Sequence, residues 1–251
     1  MKVSIKPEEI FSLGNIPITN TLFTSWIVVI IIALVSYIIN NALKNNPHGK
    51  VALVTELIFE KLMSFLEIFA GGREKVRQFL PIVGTIFFFV LFSNWIGTLP
   101  GVETIGIYHY NEGEKGYIPI IRTVFSDLNM TLVLAIIVVI TTHFVGLKSI
   151  GFKAHVGKFL ANPLKSPVKF FVGLLEIIGE LSKVISLTFR LFGNIFAGSV
   201  LMLIVTDLVP FIVPIPFLGL ELFVGFIQAL VFAVLAMLFI ASSTHIHEEA
   251  H

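Results

Sequence analysis

Apolar stretches of about 20 residues recur along this chain and constrain its fold more than any other feature. A helix of ~20 apolar residues is long enough to cross the hydrocarbon core of a bilayer. Apolar residues make up 56% of the sequence and charged residues only 13%, and the mean hydropathy is +0.94. A soluble domain has roughly a quarter charged residues. The sequence therefore predicts an integral membrane protein of the all-α class.

Charge and cysteine content exclude several classes of function. Seventeen Lys and Arg against sixteen Asp and Glu leave a net charge of +1, so no basic surface indicates a nucleic-acid partner. The chain has no cysteine, which excludes disulfides, thiolate metal sites and cysteine nucleophiles. We expect the lipid bilayer to be its main surroundings, and we expect no nucleic acid, cofactor or metal.

The apolar runs predict one membrane domain over residues 1–251. Three upright transmembrane helices, one amphipathic helix on the membrane surface and two long, strongly tilted helices account for the pattern. The surface helix is predicted because Glu56, Glu60 and Glu67 recur at helical spacing opposite an apolar face. Packing of that helix on others of the same chain is the alternative. In chain order, the predicted ranges are 22–43, 50–72, 79–99, 128–147, 167–208 and 217–245.

Lys and Arg predict how the chain is oriented, because cytoplasmic loops contain an excess of both. Residues 44–77 hold six of them and residues 148–169 hold five. The N-terminal segment and residues 100–126 together hold only four. We therefore expect an external N-terminus and a cytoplasmic C-terminus.

A stripe of polar residues runs along the predicted helix 167–208. About 40 helical residues measure ~60 Å, twice the ~30 Å hydrocarbon thickness, so this helix cannot stand upright. Charges inside a bilayer cost at least ~2.5 kcal/mol each on insertion scales, so they face water-filled cavities or partner surfaces. At 100° per residue the stripe is about 80° wide, and we expect it to face a single partner. Its members are Glu176, Glu180, Lys183, Arg190 and Asn194.

Arg190 is the most constrained member of this stripe. It has no acid within one turn of its own helix, so a carboxylate must come from elsewhere. Glu180 and Lys183 can instead form an internal ion pair, and that alternative stays open. Small residues at Gly193 and Ala197 predict a partner helix that approaches closely beside the arginine.

The last predicted helix has a sparser polar face. Glu221 and Gln228 are seven residues apart and therefore lie on the same side of the helix. A nearby track of small residues is interpreted as core packing, because small side chains let another backbone approach. The track consists of Gly225, Ala229, Ala233 and Ala236.

Four motifs together give the chain a recognisable signature. The most specific surrounds Arg190 and reads Ser186-Leu-Thr-Phe-Arg-Leu-Phe-Gly-Asn-Ile-Phe-Ala-Gly198. The supporting motifs are Phe92-Ser-Asn-Trp-Ile-Gly-Thr-Leu-Pro-Gly101, Asp127-Leu-Asn-Met-Thr131 and Gln228-Ala-Leu-Val-Phe232. Through them, nearly the whole chain resembles subunit a of the F-type ATP synthases, the proton-conducting stator of the membrane sector.

The resemblance implies roles for the polar residues. Arg190 would face a rotating ring of c subunits, each with a carboxylate, and Glu176 would lie along a half channel to the cytoplasm. A second half channel, open to the outside, would be lined by Asn194, Glu221 and Gln228. Secondary candidates are Glu180, Lys183, Asp127 and Asn129.

The resemblance also implies the setting of the protein. It implies a non-catalytic, proton-translocating subunit of a rotary synthase, without a cofactor, in a bacterial-type inner (cell) membrane. Its partners would be the c ring, the b subunits of the peripheral stalk and the rest of the synthase. Some family members have a glutamate at the position of Ser199 and a histidine at that of Glu221, so the acid has moved to the other helix here.

Other functions are less well supported. The alternative is a proton-coupled secondary transporter, but such proteins show paired repeats with Gly or Pro breaks, and this sequence has no internal repeat. The run His247-Glu-Glu-Ala-His251 formally matches a zinc motif, yet we expect a solvated tail there. For His143, a packed histidine near the headgroups is favoured over a proton relay.

Overall fold

The computed structural model describes residues 7–14, 16–111, 114–159, 167–210 and 212–244. Most of these residues are helical, with two short hairpins between them. The strands are β1 Glu9–Leu13, β2 Ile16–Thr19, β3 Gly106–Asn111 and β4 Glu114–Pro119. The helices are α1 Asn20–Asn45, α2 Lys50–Ala70, α3 Arg73–Thr98, α4 Leu128–Ile150, α5 Phe152–Phe159, α6 Pro167–Leu208 and α7 Pro214–Ser243.

Five of these helices, α1, α3, α4, α6 and α7, are long and apolar enough to cross a membrane. This agrees with the predicted class of all-α membrane protein. Helix α3 begins earlier than its predicted range. Hydropathy did not predict its first turns, from Arg73 to Arg77, because they are polar. Helix α7 also begins earlier, at Pro214, since proline is well suited to a first helical turn.

Two antiparallel hairpins and one short helix were not predicted from the sequence. Strand β1 pairs with β2 before the first long helix, and β3 pairs with β4 between α3 and α4. The short helix α5 follows Gly151, which has a positive φ of 83° and breaks the path of α4. Each of these elements is too short to have produced a clear hydropathy signal.

Helix α2 packs by one narrow face and leaves the rest of its surface exposed. Its buried residues recur at helical spacing and are Ala52, Thr55, Leu62, Leu66 and Ala70. Large apolar side chains also remain exposed on it, with Ile68 at 74% and Leu57 at 57%. The Arg73 guanidinium, at the start of α3, lies 2.6 Å from the carboxylate of Glu60 in the middle of α2. Helix α2 therefore combines packing on its own chain with a large surface for lipid or a partner.

The core lies where α3 and α7 pack together. The small-residue track of α7 is buried there, which confirms the packing role predicted for it. The Asn94 side-chain amide donates to the Gly225 carbonyl at 3.1 Å, and the Trp95 indole donates to the Leu222 carbonyl at 3.0 Å. These bonds fix the first half of α7 against the end of α3.

Helix α6 is one continuous helix of 42 residues over the predicted range 167–208. At 1.5 Å per residue it measures about 63 Å, against a hydrocarbon core of ~30 Å. If all of it lies in the hydrocarbon, it must incline by about 60° from the membrane normal. This inclination would keep most of its length, including Arg190, at membrane depth.

We expect Gly97→Ala to destabilise the fold, because a Cβ at this position would overlap the side chain of Thr123. Overpacking of this kind costs typically 1–3 kcal/mol. Gly84→Ala on the same helix is the matched control, since a Cβ there meets no atom within 4 Å. Unfolding of both variants in mixed detergent micelles measures the difference. Equal stability of the two variants would contradict this account of the contact between α3 and the loop before α4.

Candidate functional site

Helix α6 has two clearly different faces around Arg190. Leu187, Leu191 and Ile195 are almost fully buried against the rest of the chain. Arg190 and Asn194 are four residues apart and both exposed. Residues at this spacing share a face, so the packing that buries the leucines turns the arginine outward.

The Arg190 side chain has few partners among the described residues. Its guanidinium lies 3.4 Å from the Ser186 hydroxyl, at the limit of a hydrogen bond. Among the residues that the structure describes, no carboxylate forms an ion pair with it. An uncompensated guanidinium at membrane depth is costly, so this face is suited to a partner that supplies an acid.

Small residues surround Arg190 on the exposed face. Gly193 and Ala197 are both exposed, and a Cβ added at Gly193 would meet no atom within 4 Å. Asn194, the sequence-predicted channel residue, lies between them and is exposed as well. The surface next to the guanidinium is thus exposed and has only small side chains at Gly193 and Ala197, which lets another helix approach closely.

Helix α7 brings two of the predicted residues toward α6. Gln228 is buried, and its side-chain amide lies 3.5 Å from the backbone carbonyl of Arg190. Glu221 is half-buried, two turns earlier on α7. A Cβ at Gly198 would lie only 2.9 Å from the Glu221 carboxylate, so the glycine makes room for this acid. The carboxylate therefore reaches α6 beside Ser199, whose hydroxyl donates to the carbonyl of Ile195 at 3.0 Å.

Toward the start of α6, the predicted stripe meets its own chain rather than an open face. The Lys183 ammonium lies 2.6 Å from Glu180 and 5.0 Å from the ring centre of Phe239 on α7. The other oxygen of Glu180 faces the His143 ring at 3.6 Å. The expectation that the whole stripe faces a single partner is therefore wrong for Glu180 and Lys183. Their internal ion pair, the alternative left open by the sequence, is present.

Asp127 and Asn129 lie at the start of α4, in a network of helix caps. One Asp127 oxygen accepts a hydrogen bond from the Asn129 backbone at 2.8 Å, and the other accepts one from the Thr21 hydroxyl at 3.2 Å. Asp127 is buried and the Asn129 side chain is exposed. These contacts join the starts of α1 and α4, which indicates a structural role.

Sequence reasoning did not identify His155 or Asn94. Asn94 is part of the motif that ends at Gly101, but its contact with helix α7 is visible only in the folded chain. His155 lies on α5, whose eight residues had no predicted structure. The zinc-like run at residues 247–251 lies outside the described residues.

Comparison with known proteins gives consistent matches. The ATP synthase A chain family matches residues 22–241. An ATP synthase subunit a from Trichlorobacter lovleyi is 35% identical over 243 residues, covering 92% of this chain and 89% of the relative. The subunit a of Geotalea uraniireducens is 34% identical over 237 residues, covering 90% and 87%. That of Gloeobacter violaceus is 31% identical over 231 residues, covering 92% and 86%.

Proposed function

The chain belongs to the ATP synthase A chain family, and on that premise we propose that Arg190 is its central functional residue, facing a rotating ring of c subunits. As a non-catalytic, multi-pass membrane subunit of an F-type ATP synthase, it translocates protons as part of the stator. The observation that carries the proposal is Arg190, which is exposed in the apolar helix α6 and forms no ion pair with any residue that the structure describes. The family match favours this function over a proton-coupled secondary transporter.

Arg190 controls when a ring carboxylate ionises. Arginine stays protonated in proteins, so a carboxylate that passes the guanidinium is stabilised in its ionised form. The ring acid must therefore lose its proton before it passes. The small side chains at Gly193 and Ala197 support this role, because they allow the ring helix to come close.

Glu221, Gln228 and Asn194 form the half channel that is open to the outside. The contact of Glu221 with α6 at Gly198 supports this assignment, since the acid lies about two helical turns (~12 Å) beyond Arg190. Ser199 on α6 has no ionisable side chain. Glu221 on α7 provides a carboxylate in the same region instead. Protons from outside would reach the ring along this side of α6.

Glu176 lies along the half channel to the cytoplasm. It is exposed on α6, about 21 Å before Arg190 along the helix, and lines a cavity with Glu180 and Lys183. Two aqueous routes that end on opposite sides of a fixed positive charge prevent a direct proton leak. Each proton must then travel on the ring, and 100 mV supplies about 2.3 kcal/mol per charge.

The setting of the subunit follows from this function. The chain forms a single membrane domain in a bacterial-type inner (cell) membrane, with its N-terminus outside and its C-terminus in the cytoplasm. Its partners are the c ring, the b subunits of the peripheral stalk and the rest of the synthase. The exposed surface of α2, with residues such as Glu56 and Leu57, is suited to the stator contact.

We expect Arg190→Ala to abolish ATP synthesis and ATP-driven proton pumping in membrane vesicles while the complex stays assembled. Without the guanidinium, nothing forces the ring carboxylate to ionise at this point. Arg190→Lys should also be severely impaired, because a desolvated ammonium can lose its proton. Arg77→Ala, at an exposed arginine on α3, is the control and should stay active. Synthesis near the normal rate in Arg190→Ala would contradict the proposal.

A second prediction concerns the outer half channel. Glu221→Gln should lower proton flux markedly, because Glu221 is the one ionisable residue of α7 over 214–243. Glu9→Gln, an exposed acid on β1, is the matched control. Proton uptake by energised vesicles measures both. If Glu221→Gln conducts as well as the control, Asn194, Gln228 and water suffice, and Glu221 has a structural role.

A further inference from the structure

A cavity of about 70 Å³ lies between α4, α5, α6 and α7, away from the exposed face at Arg190. A single water needs roughly 10–15 Å³ measured in this way, so the cavity has room for several water molecules. Its lining is rich in ionisable side chains for a cavity between largely apolar helices. Those of the lining residues that can exchange a proton or pair with a charge are Glu176, Glu180, Lys183, His143 and His155.

Three of these side chains form a continuous series. His143 Nδ1 lies 3.1 Å from His155 Nε2, a hydrogen bond in which one ring donates to the other. His143 Nε2 lies 3.6 Å from Glu180 Oε2. The second distance is too long for a direct hydrogen bond, but one water in the cavity can bridge it. The series therefore runs from α6 through α4 to α5.

One carboxylate oxygen of Glu180 faces the His143 ring. Its Oε1 pairs with Lys183, whereas its Oε2 is buried and accepts no hydrogen bond from the part of the chain that the structure describes. A buried carboxylate oxygen needs a donor, and the His143 ring or a cavity water can supply it. The acid is thus held by the lysine and left able to exchange a proton with the ring.

The His155 ring packs against α4 at Gly146, where the absence of a side chain leaves room for it. It is buried at 6% exposure, and a Cβ at Gly146 would lie 2.8 Å from its ring carbon Cε1. Only glycine at 146 lets the ring approach α4 this closely. The Phe159 ring packs against both histidines, with centroids 5.8 and 5.7 Å away. The His155 ring is therefore fixed next to His143.

Among the residues that the structure describes, the charged and titratable groups around His143 come from two elements. Helix α6 contributes Glu176, Glu180 and Lys183, and α5 contributes His155. Helix α7 contributes only Phe239 and the hydroxyls of Ser242 and Ser243 to the cavity. Among the described residues, no three His, Asp or Glu side chains are arranged to hold a metal ion. Proton exchange is thus better matched to the cluster than metal binding.

We propose that Glu180, His143 and His155, together with water in this cavity, form a proton relay that connects the inner half channel at Glu176 with the cytoplasm. This reverses the sequence-based preference for a packed His143. The inference rests on the proposed function of the subunit. Imidazole accepts a proton at one ring nitrogen while releasing one from the other, and it does so near neutral pH. For each proton that enters at one end, one leaves at the other, so a complete passage leaves the net charge of the relay unchanged and needs no other reactant.

The test is passive proton flux through membranes from which the catalytic sector has been stripped. His143→Gln and His155→Gln keep a hydrogen-bonding side chain but cannot carry a proton. We expect flux to fall about tenfold in each, less than the ~100-fold a positioned proton-transfer group can contribute, because cavity water offers a parallel path. Imidazole added on the cytoplasmic side should restore much of it. His48→Gln, at an exposed histidine, is the matched control and should conduct normally.

A second pair of variants keeps both histidines. Gly146→Ala should lower flux because it displaces the His155 ring, whereas Gly157→Ala on α5, where a Cβ meets no atom within 4 Å, should not. Flux in His143→Gln equal to that in His48→Gln would overturn the relay. So would a loss of flux that imidazole does not restore, because the histidines would then only tether α5. Activity of Arg190→Ala tests the subunit function separately and does not depend on these histidines.

Discussion

A positive charge that cannot be removed, on the exposed face of an apolar helix, is the constraint on which this architecture depends. A charged side chain at the centre of a bilayer costs at least ~2.5 kcal/mol even on insertion scales. Arg190 avoids this cost neither by pairing with an acid of the described chain nor by burial. The rest of the fold holds α6 so that this guanidinium lies on an exposed face, where the c ring, the proposed partner, would supply a carboxylate.

Helix packing divides α6 into segments with different environments. Around Arg190, the buried Leu187 and Leu191 fix the rotation of the helix, and Gln228 of α7 touches its backbone. Toward the start of the helix, α4 and α5 cover the Glu180 side and enclose a cavity. Toward its end, Gly198 admits the Glu221 carboxylate. One helix thus meets an acid-lined environment on either side of the arginine, as two separate half channels require.

Hydropathy and helical periodicity predicted α6 well, because a long apolar run and its polar stripe are local features of the sequence. They also predicted the exposed face at Arg190 and Gly193. They did not predict that Glu180 and Lys183 turn toward the same chain, since this depends on where α4 ends and α7 returns. The hairpins and His155 were missed because short segments have no periodic signal, and the contact of His155 with His143 exists only in the folded chain.

Disulfide crosslinking tests the central claim, that the Arg190 face meets the c ring, most directly. The chain has no cysteine, so Gly193→Cys places a single thiol beside the arginine. In assembled membranes it should crosslink efficiently to a cysteine placed near the carboxylate of the c subunit. Thr188→Cys, buried at 3% exposure, should not. Equal crosslinking at both positions, or none from Gly193→Cys, would contradict the account.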